Sequence, residues 1–156
     1  MEAVAINDEG TLLVSGEIDD WGLVRQLRVD TIIDMDGDVD EGVPEAPNEL
    51  LYIYFPILDE ELPNLRKLDA LGRMVADLLE AGHVVLVHCR MGFNRSMLVA
   101  TTALTYLGWT GRRALHRARQ ARSGALFNDA FAAHVESLPA RRLRLEVLSP
   151  GAGELM

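Results

Sequence analysis

The chain holds a single cysteine, Cys89. No intrachain disulfide and no multi-cysteine zinc site can therefore form. Lysine is almost absent: of the fifteen basic residues fourteen are arginine, and Lys67 is the exception. The longest uncharged run, Ser96 to Gly111, carries several polar residues and falls short of the roughly 20 apolar residues of a membrane-spanning helix. The acidic stretch Met1-Glu2-Ala3-Val4-Ala5-Ile6-Asn7-Asp8-Glu9 has no apolar core of signal-peptide length. A cytoplasmic location is expected on these grounds. Positive charge is outweighed overall, with a formal net charge of -9 and a pI near 4.8. Nucleic acid and anionic membrane both need a basic footprint, so neither is expected as a partner. One phosphate is a different matter, because a few N–H groups and one or two Arg side chains outweigh a distant acidic field at short range.

What remains is an ordinary globular composition. The 156 residues, about half of them apolar, suit one domain that buries roughly 70% of its extended surface. No linker divides the chain. The domain is expected over residues 1–148, with residues 149–156 as a frayed tail opening on Ser149-Pro150-Gly151-Ala152-Gly153. Val29 to Ile33, Leu51 to Ile57 and Val84 to Val87 read as buried strands, and Thr11 to Val14 as a weaker one. The Asp34 to Asn48 stretch, rich in Asp, Glu, Gly and Pro, reads as an exposed loop.

Helical patterns lie between the strands. Asp20 can cap a helix through about Leu27. A longer helix starts near Asn64, turns Leu65, Leu68, Leu71, Val75, Leu78 and Leu79 inward, and stops at Gly82. Three more follow at about Ser96 to Leu107, Gly111 to Ala121 and Asn128 to Leu138. This alternation predicts an α/β fold: a mostly parallel central sheet with helices on both faces. Ligands in such sheets bind beyond the carboxyl ends of the strands.

One such end carries the only thiol. Val84-Val85-Leu86-Val87-His88-Cys89-Arg90-Met91-Gly92-Phe93-Asn94-Arg95-Ser96 reads as strand, tight loop, then helix. Gly92 supplies the backbone freedom of a turn wrapped around an anion. Loop N–H groups converging on a helix N-terminus make a nest for phosphate oxygens. Arg95 can close that ring with a planar fork holding two oxygens at once. Such surroundings favour the thiolate, which is the nucleophilic form of cysteine. Ser96 is placed to donate its hydroxyl to the sulfur as it leaves. A lone cysteine is more often a small buried hydrophobe; Gly three residues on and Arg six residues on point instead to a phosphate-binding loop between strand and helix.

His88-Cys89-Arg90-Met91-Gly92-Phe93-Asn94-Arg95-Ser96 resembles the Cys-x5-Arg-Ser signature of the dual-specificity branch of the cysteine-based protein tyrosine phosphatase superfamily. Leu13-Val14-Ser15-Gly16, Thr31-Ile32-Ile33-Asp34, Arg119-Gln120-Ala121-Arg122 and Asn128-Asp129-Ala130-Phe131 resemble its other segments in order. The resemblance implies a hydrolase that needs no metal or cofactor and works through a phosphocysteine. Cys89 would attack phosphorus and Arg95 would stabilise the equatorial oxygens. His88, Arg90, Met91, Gly92, Phe93, Asn94 and Arg95 would surround the substrate, with His88 orienting the loop. The general acid would come from the loop after Phe55-Pro56-Ile57-Leu58. Asp59 is the choice there, ahead of Glu60 and Glu61, with Asp34 and Asp36 behind them. Asn128 resembles the Asn that packs behind the phosphate loop in relatives.

The implied substrate is a phosphorylated protein, with phosphotyrosine and phosphoserine/threonine both admitted by a shallow pocket. A phosphatase of lipid or RNA-end phosphates shares the signature but usually brings more positive charge to the loop than Arg90. A rhodanese-like sulfurtransferase or arsenate-handling enzyme also starts its loop at a cysteine after a strand. A non-catalytic phosphopeptide-binding module would need neither Cys89 nor Asp59. His83, His116 and His134 have no ligand spacing. Arg112, Arg113, Arg117, Arg119 and Arg122 read as a solvated helix face rather than a second anion site.

Overall fold

β-branched runs closed off by Asp, Gly or Pro form the centre of the protein. The computed structural model describes residues 1–141; residues 142–156, with the expected boundary at 148 and the tail, lie outside the described residues. The strands are β1 (Ala3–Ala5), β2 (Leu12–Ser15), β3 (Thr31–Asp34), β4 (Leu51–Tyr54) and β5 (Val85–His88). They form one sheet in the order β1-β2-β5-β3-β4, parallel except for β1, which pairs antiparallel with β2. Side chains alternate across it as strand geometry requires. Leu12, Val14, Ile33, Val85 and Val87 face the larger core, while Leu13, Ile32 and Leu86 face the smaller one.

Helix α1 (Trp21–Gln26) covers the smaller core, with Asp20 accepting from the Leu23 N–H at 3.1 Å as its cap. Helices α2 (Leu65–Glu80), α3 (Arg95–Thr105), α4 (Gly111–Ala121) and α5 (Asp129–Ser137) supply the larger core. Each apolar side chain buried there is worth about 1.5–3 kcal/mol. Helix α3 is buried along nearly its whole length. Its threonines survive burial by returning their hydroxyls to the helix: Thr101 to the Met97 carbonyl and Thr102 to the Leu98 carbonyl, both at 2.7 Å.

Three expectations need correction. Leu65 is 42% exposed, because it sits in the first turn of α2 before the apolar stripe meets the sheet. The apolar run after β4 is not strand: the sheet ends at Tyr54, Pro56 has no N–H to offer, and Ile57 packs on the core from a loop. The acidic loop also begins buried, since Asp34 belongs to β3 and Met35 and Asp36 stay covered.

Register then places the chemistry. Ser15, Asp34 and His88 lie abreast at the carboxyl ends of β2, β3 and β5. The residues that follow each of them emerge together on one edge, and Cys89 is among them.

Candidate active site

At the end of β5 the alternation of side chains splits two neighbours. His88 turns to the α1 side, and Cys89 joins the core beneath α3. The thiol is 2% exposed. Its sulfur lies 3.2 Å from the Gly92 backbone N and 3.2 Å from the Ser96 Oγ. The Gly92 N–H donates to the sulfur, and in the contact with Ser96 either partner can be the donor. Helix α3 adds its N-terminus. The first intrahelical bond runs from the Leu98 N–H to the Asn94 carbonyl at 2.8 Å. Helix geometry leaves the N–H groups of Arg95, Ser96 and Met97 to face the loop without intrahelical partners.

Gly92 makes the turn possible. Its φ is +77°, a left-handed conformation that favours glycine, and an added Cβ would lie 2.7 Å from the Ser15 carbonyl carbon. Gly16 makes a matching close approach, with its Cβ position 2.9 Å from the Arg90 carbonyl oxygen. The Glu17 N–H donates to that same oxygen at 3.0 Å, so the end of β2 holds the loop from outside.

A cleft of about 150 Å³ opens over the sulfur, lined by Asp59, Cys89, Met91, Phe93, Asn94, Arg95 and Phe127. A larger hollow of about 420 Å³ lies beside α1 and holds no nucleophile. Arg95 donates from one terminal nitrogen to the Ile57 carbonyl at 3.3 Å, and the same nitrogen lies 3.6 Å from Asp36. Its Nε is buried with no partner among the described residues. A guanidinium anchored at one corner with an unspent donor at another is prepared for an oxyanion.

Asp59 is fixed by amides on both oxygens. Asn94 donates to one at 2.8 Å and Asn128 to the other at 2.8 Å. Asn94 occupies the N-cap of α3 without capping it, and its amide reaches Asp59 instead. Its oxygen accepts from the Asn128 backbone N–H at 3.0 Å. Three segments distant in sequence are joined in this way: the loop after β4, the phosphate-type loop and the start of α5.

Two residues expected around a substrate sit elsewhere. The His88 ring is fully buried, with Nε2 2.7 Å from Asp40 and 3.6 Å from Asp34, so it faces away from the cleft. Its Nδ1 is buried without a partner among the described residues. Arg90 points outward, its side chain 58% exposed and 3.8 Å from Asp36. Strand parity explains the first, since His88 shares its face with Leu86. Asp36, which bridges toward both arginines, ranked low in the sequence because nothing there showed β3 lying beside β5.

Buried Asp34 and His88 and half-buried Asp40 and Tyr52 form a cluster behind the loop. One ligand atom each from Asp34, Asp40 and His88 lies within 4.8 Å of the others, yet internal hydrogen bonds engage these atoms: His88 with Asp40, and the Tyr52 hydroxyl with Asp34. Burial pushes the Asp34 carboxyl up, against the Tyr52 and Asp36 hydrogen bonds that favour its anion. Burial, and then the bond to Asp34, raises Tyr52 as well, so its phenol keeps its proton.

The dual specificity phosphatase catalytic domain matches this chain over residues 22–138. The chain belongs to the dual-specificity phosphatases. It is a cysteine-dependent phosphatase, which sets aside the sulfurtransferase alternative. Solved structures of similar fold include human DUSP28, with a TM-score of 0.70 at 22% identity over 86% of this chain and 90% of that one. Another is the human tyrosine phosphatase-like serine/threonine/tyrosine-interacting protein, at 0.70 and 18% over 86% and 93%. The Yvh1 phosphatase domain from Chaetomium thermophilum reaches 0.70 and 23% over 96% and 98%. No curated protein matches the chain in sequence. No helix among the described residues is long and apolar enough to cross a membrane.

The arginines of α4 and of its C-cap, Arg122, do not form a uniformly solvated face. Arg113 stacks on Trp109 at 3.7 Å, Arg117 pairs with Asp8 at 2.8 Å, and Arg122 lies over Phe93 at 4.6 Å. Arg119 donates to the Ala125 and Leu126 carbonyls at 3.0 Å each.

Proposed function

We propose that this dual-specificity phosphatase hydrolyses phosphate monoesters on proteins, both phosphotyrosine and phosphoserine/threonine, through a phosphocysteine at Cys89. The observation that carries the reading is the sulfur itself, held between the Gly92 N–H and the Ser96 hydroxyl at 3.2 Å each, in a cleft shared with Arg95 and Asp59. The thiolate attacks phosphorus as the ester P–O bond breaks. The Arg95 fork and the α3 N-terminus take up the charge on the equatorial oxygens. Asp59, carrying a proton at this step, passes it to the departing oxygen. Water then attacks the phosphocysteine, Asp59 takes its proton, and the S–P bond breaks to return the thiolate and inorganic phosphate.

Met91, Gly92, Phe93 and Asn94 complete the substrate-facing loop in this reading; His88 and Arg90 support it from behind and from outside. With one cysteine and a thiol-dependent reaction, the enzyme suits a reducing compartment such as the cytoplasm. Its net charge of -9 makes phosphoprotein a better partner than nucleic acid or anionic membrane.

The experiment is hydrolysis of an aryl phosphate by the purified protein in chelator. Turnover is expected without added metal. Cys89→Ser is expected to abolish it while retaining affinity for phosphate or vanadate. Undiminished turnover in that variant would refute the assignment.

A further inference from the structure

An exposed aromatic side chain is normally a placement without consequence, but Phe127 is exposed and fixed at the same time. It is 65% exposed and lines the cleft over Cys89. Both of its neighbours are tied to the phosphate-type loop. The Leu126 N–H donates to the Phe93 carbonyl at 2.8 Å, and the Asn128 N–H donates to the Asn94 Oδ1 at 3.0 Å. Arg119 holds the Ala125 and Leu126 carbonyls at 3.0 Å each. Leu126 adopts φ +57°, a left-handed conformation unfavourable for a side chain of its size. Leu126 is fully buried, and Phe127 beside it is directed outward.

A second ring stands beside it. Phe93 lies with its centroid 6.1 Å from that of Phe127, the planes tilted by 58°. Arg122 backs the Phe93 ring at 4.6 Å, and Gly124 passes close enough that an added Cβ would touch it at 3.6 Å. Phe93 is therefore braced from behind. Met91, 62% exposed, adds a third apolar side chain to the lining.

We infer that Phe127 and Phe93 form an aryl clamp that makes phosphotyrosine the preferred substrate of this site. The inference rests on the phosphatase reading and names the substrate class within it. A phosphate seated over Cys89 fixes where the next atoms of the substrate must run. The phenyl ring of phosphotyrosine gives the two aromatic side chains a partner of matching shape. Phosphoserine and phosphothreonine place a short aliphatic link and a peptide backbone at that point, with little apolar surface to cover. The selection is one-sided: the clamp favours the aryl ester and does not obstruct the alkyl ester. An aromatic pair is generally worth about a factor of 2–10.

The test compares kcat/KM for two peptides of identical sequence that differ only in phosphotyrosine or phosphothreonine. The wild-type ratio is expected to favour phosphotyrosine by at least about tenfold. Phe127→Ala is expected to lower that ratio about fivefold, and Phe127→Trp to preserve it. An unchanged ratio in Phe127→Ala, or equal loss on both peptides, overturns the clamp while the phosphatase reading stands. A wild-type protein inactive on both peptides and on aryl phosphate overturns the reading and the clamp together.

Discussion

Removing the Ser96 hydroxyl should separate the two halves of the reaction. In the free enzyme the Ser96 Oγ lies 3.2 Å from the Cys89 sulfur, and Ser96 is fully buried. Ser96→Ala deletes one buried oxygen beside the sulfur. In the proposed scheme the hydrogen bond serves an anionic sulfur, so its contribution there is about 1.5–3 kcal/mol. That charge is present before attack, absent in the phosphocysteine, and restored as the S–P bond breaks. Losing the bond therefore raises the barrier to the second step, by roughly tenfold to a hundredfold in rate. The first step keeps the Gly92 N–H and Arg95 and is less affected.

Stopped-flow hydrolysis of p-nitrophenyl phosphate reads both steps. Ser96→Ala is expected to show a burst approaching one nitrophenolate per active site, followed by slow turnover, and acid quench should capture the accumulated intermediate. Steady-state turnover equal to wild type, or a loss with no burst, would contradict this role for Ser96 and the two-step scheme.

Gly92→Ala should destabilise the protein by roughly 2–5 kcal/mol, from a left-handed φ and from contact with the Ser15 backbone, as urea unfolding would show. Its turnover should fall as well; an Ala variant as stable and active as wild type contradicts the loop geometry. Asp59→Asn should slow hydrolysis of a phosphoserine peptide by about 10²–10⁴ but of p-nitrophenyl phosphate far less, because only the poor leaving group needs the proton. Equal losses would move the acid elsewhere. His134 gives a pH signature: burial lowers its pKa from the ordinary 6.5, so its neutral form is the folded one. Stability is then retained above about pH 6.5 and lost as pH falls through the lowered folded value. The urea midpoint should drop between about pH 7.5 and about pH 5.5, and His134→Gln should flatten the drop; an unchanged slope contradicts it.

Much of this was legible from local pattern. The runs that became β3 and β5, the Asn64 cap of α2 and the bounds of α4 depend on neighbours in sequence, where periodicity and capping act. Strand β1 was not legible, since Ala3-Val4-Ala5 has little β preference and gains its place from the sheet edge and from Asn7. The Asn7 carboxamide accepts from the Thr11 and Leu12 N–H groups at 3.0 and 2.9 Å, closing that hairpin.

The site divides along the same line. Cys89, Gly92, Arg95 and Ser96 stand within eight residues on one strand–loop–helix unit, so their spacing alone places them together. Asp59 reaches Asn94 and Asn128 across separations of 35 and 69 residues, a union that only the tertiary fold makes. His88 misled because adjacency to Cys89 along a strand means opposite faces of the sheet. Phe127 carried no signal, since an isolated aromatic before a helix cap is commonplace until the backbone around it is seen.

The most direct test is chemical capture of the intermediate. Wild-type protein mixed with aryl phosphate, quenched in acid within the first turnover and digested, is expected to give the Cys89 peptide carrying the mass of one phosphoryl group. That adduct should vanish in Cys89→Ser. A phosphoryl group found on another residue, or turnover of the Cys89→Ser protein with no adduct at all, would contradict the account.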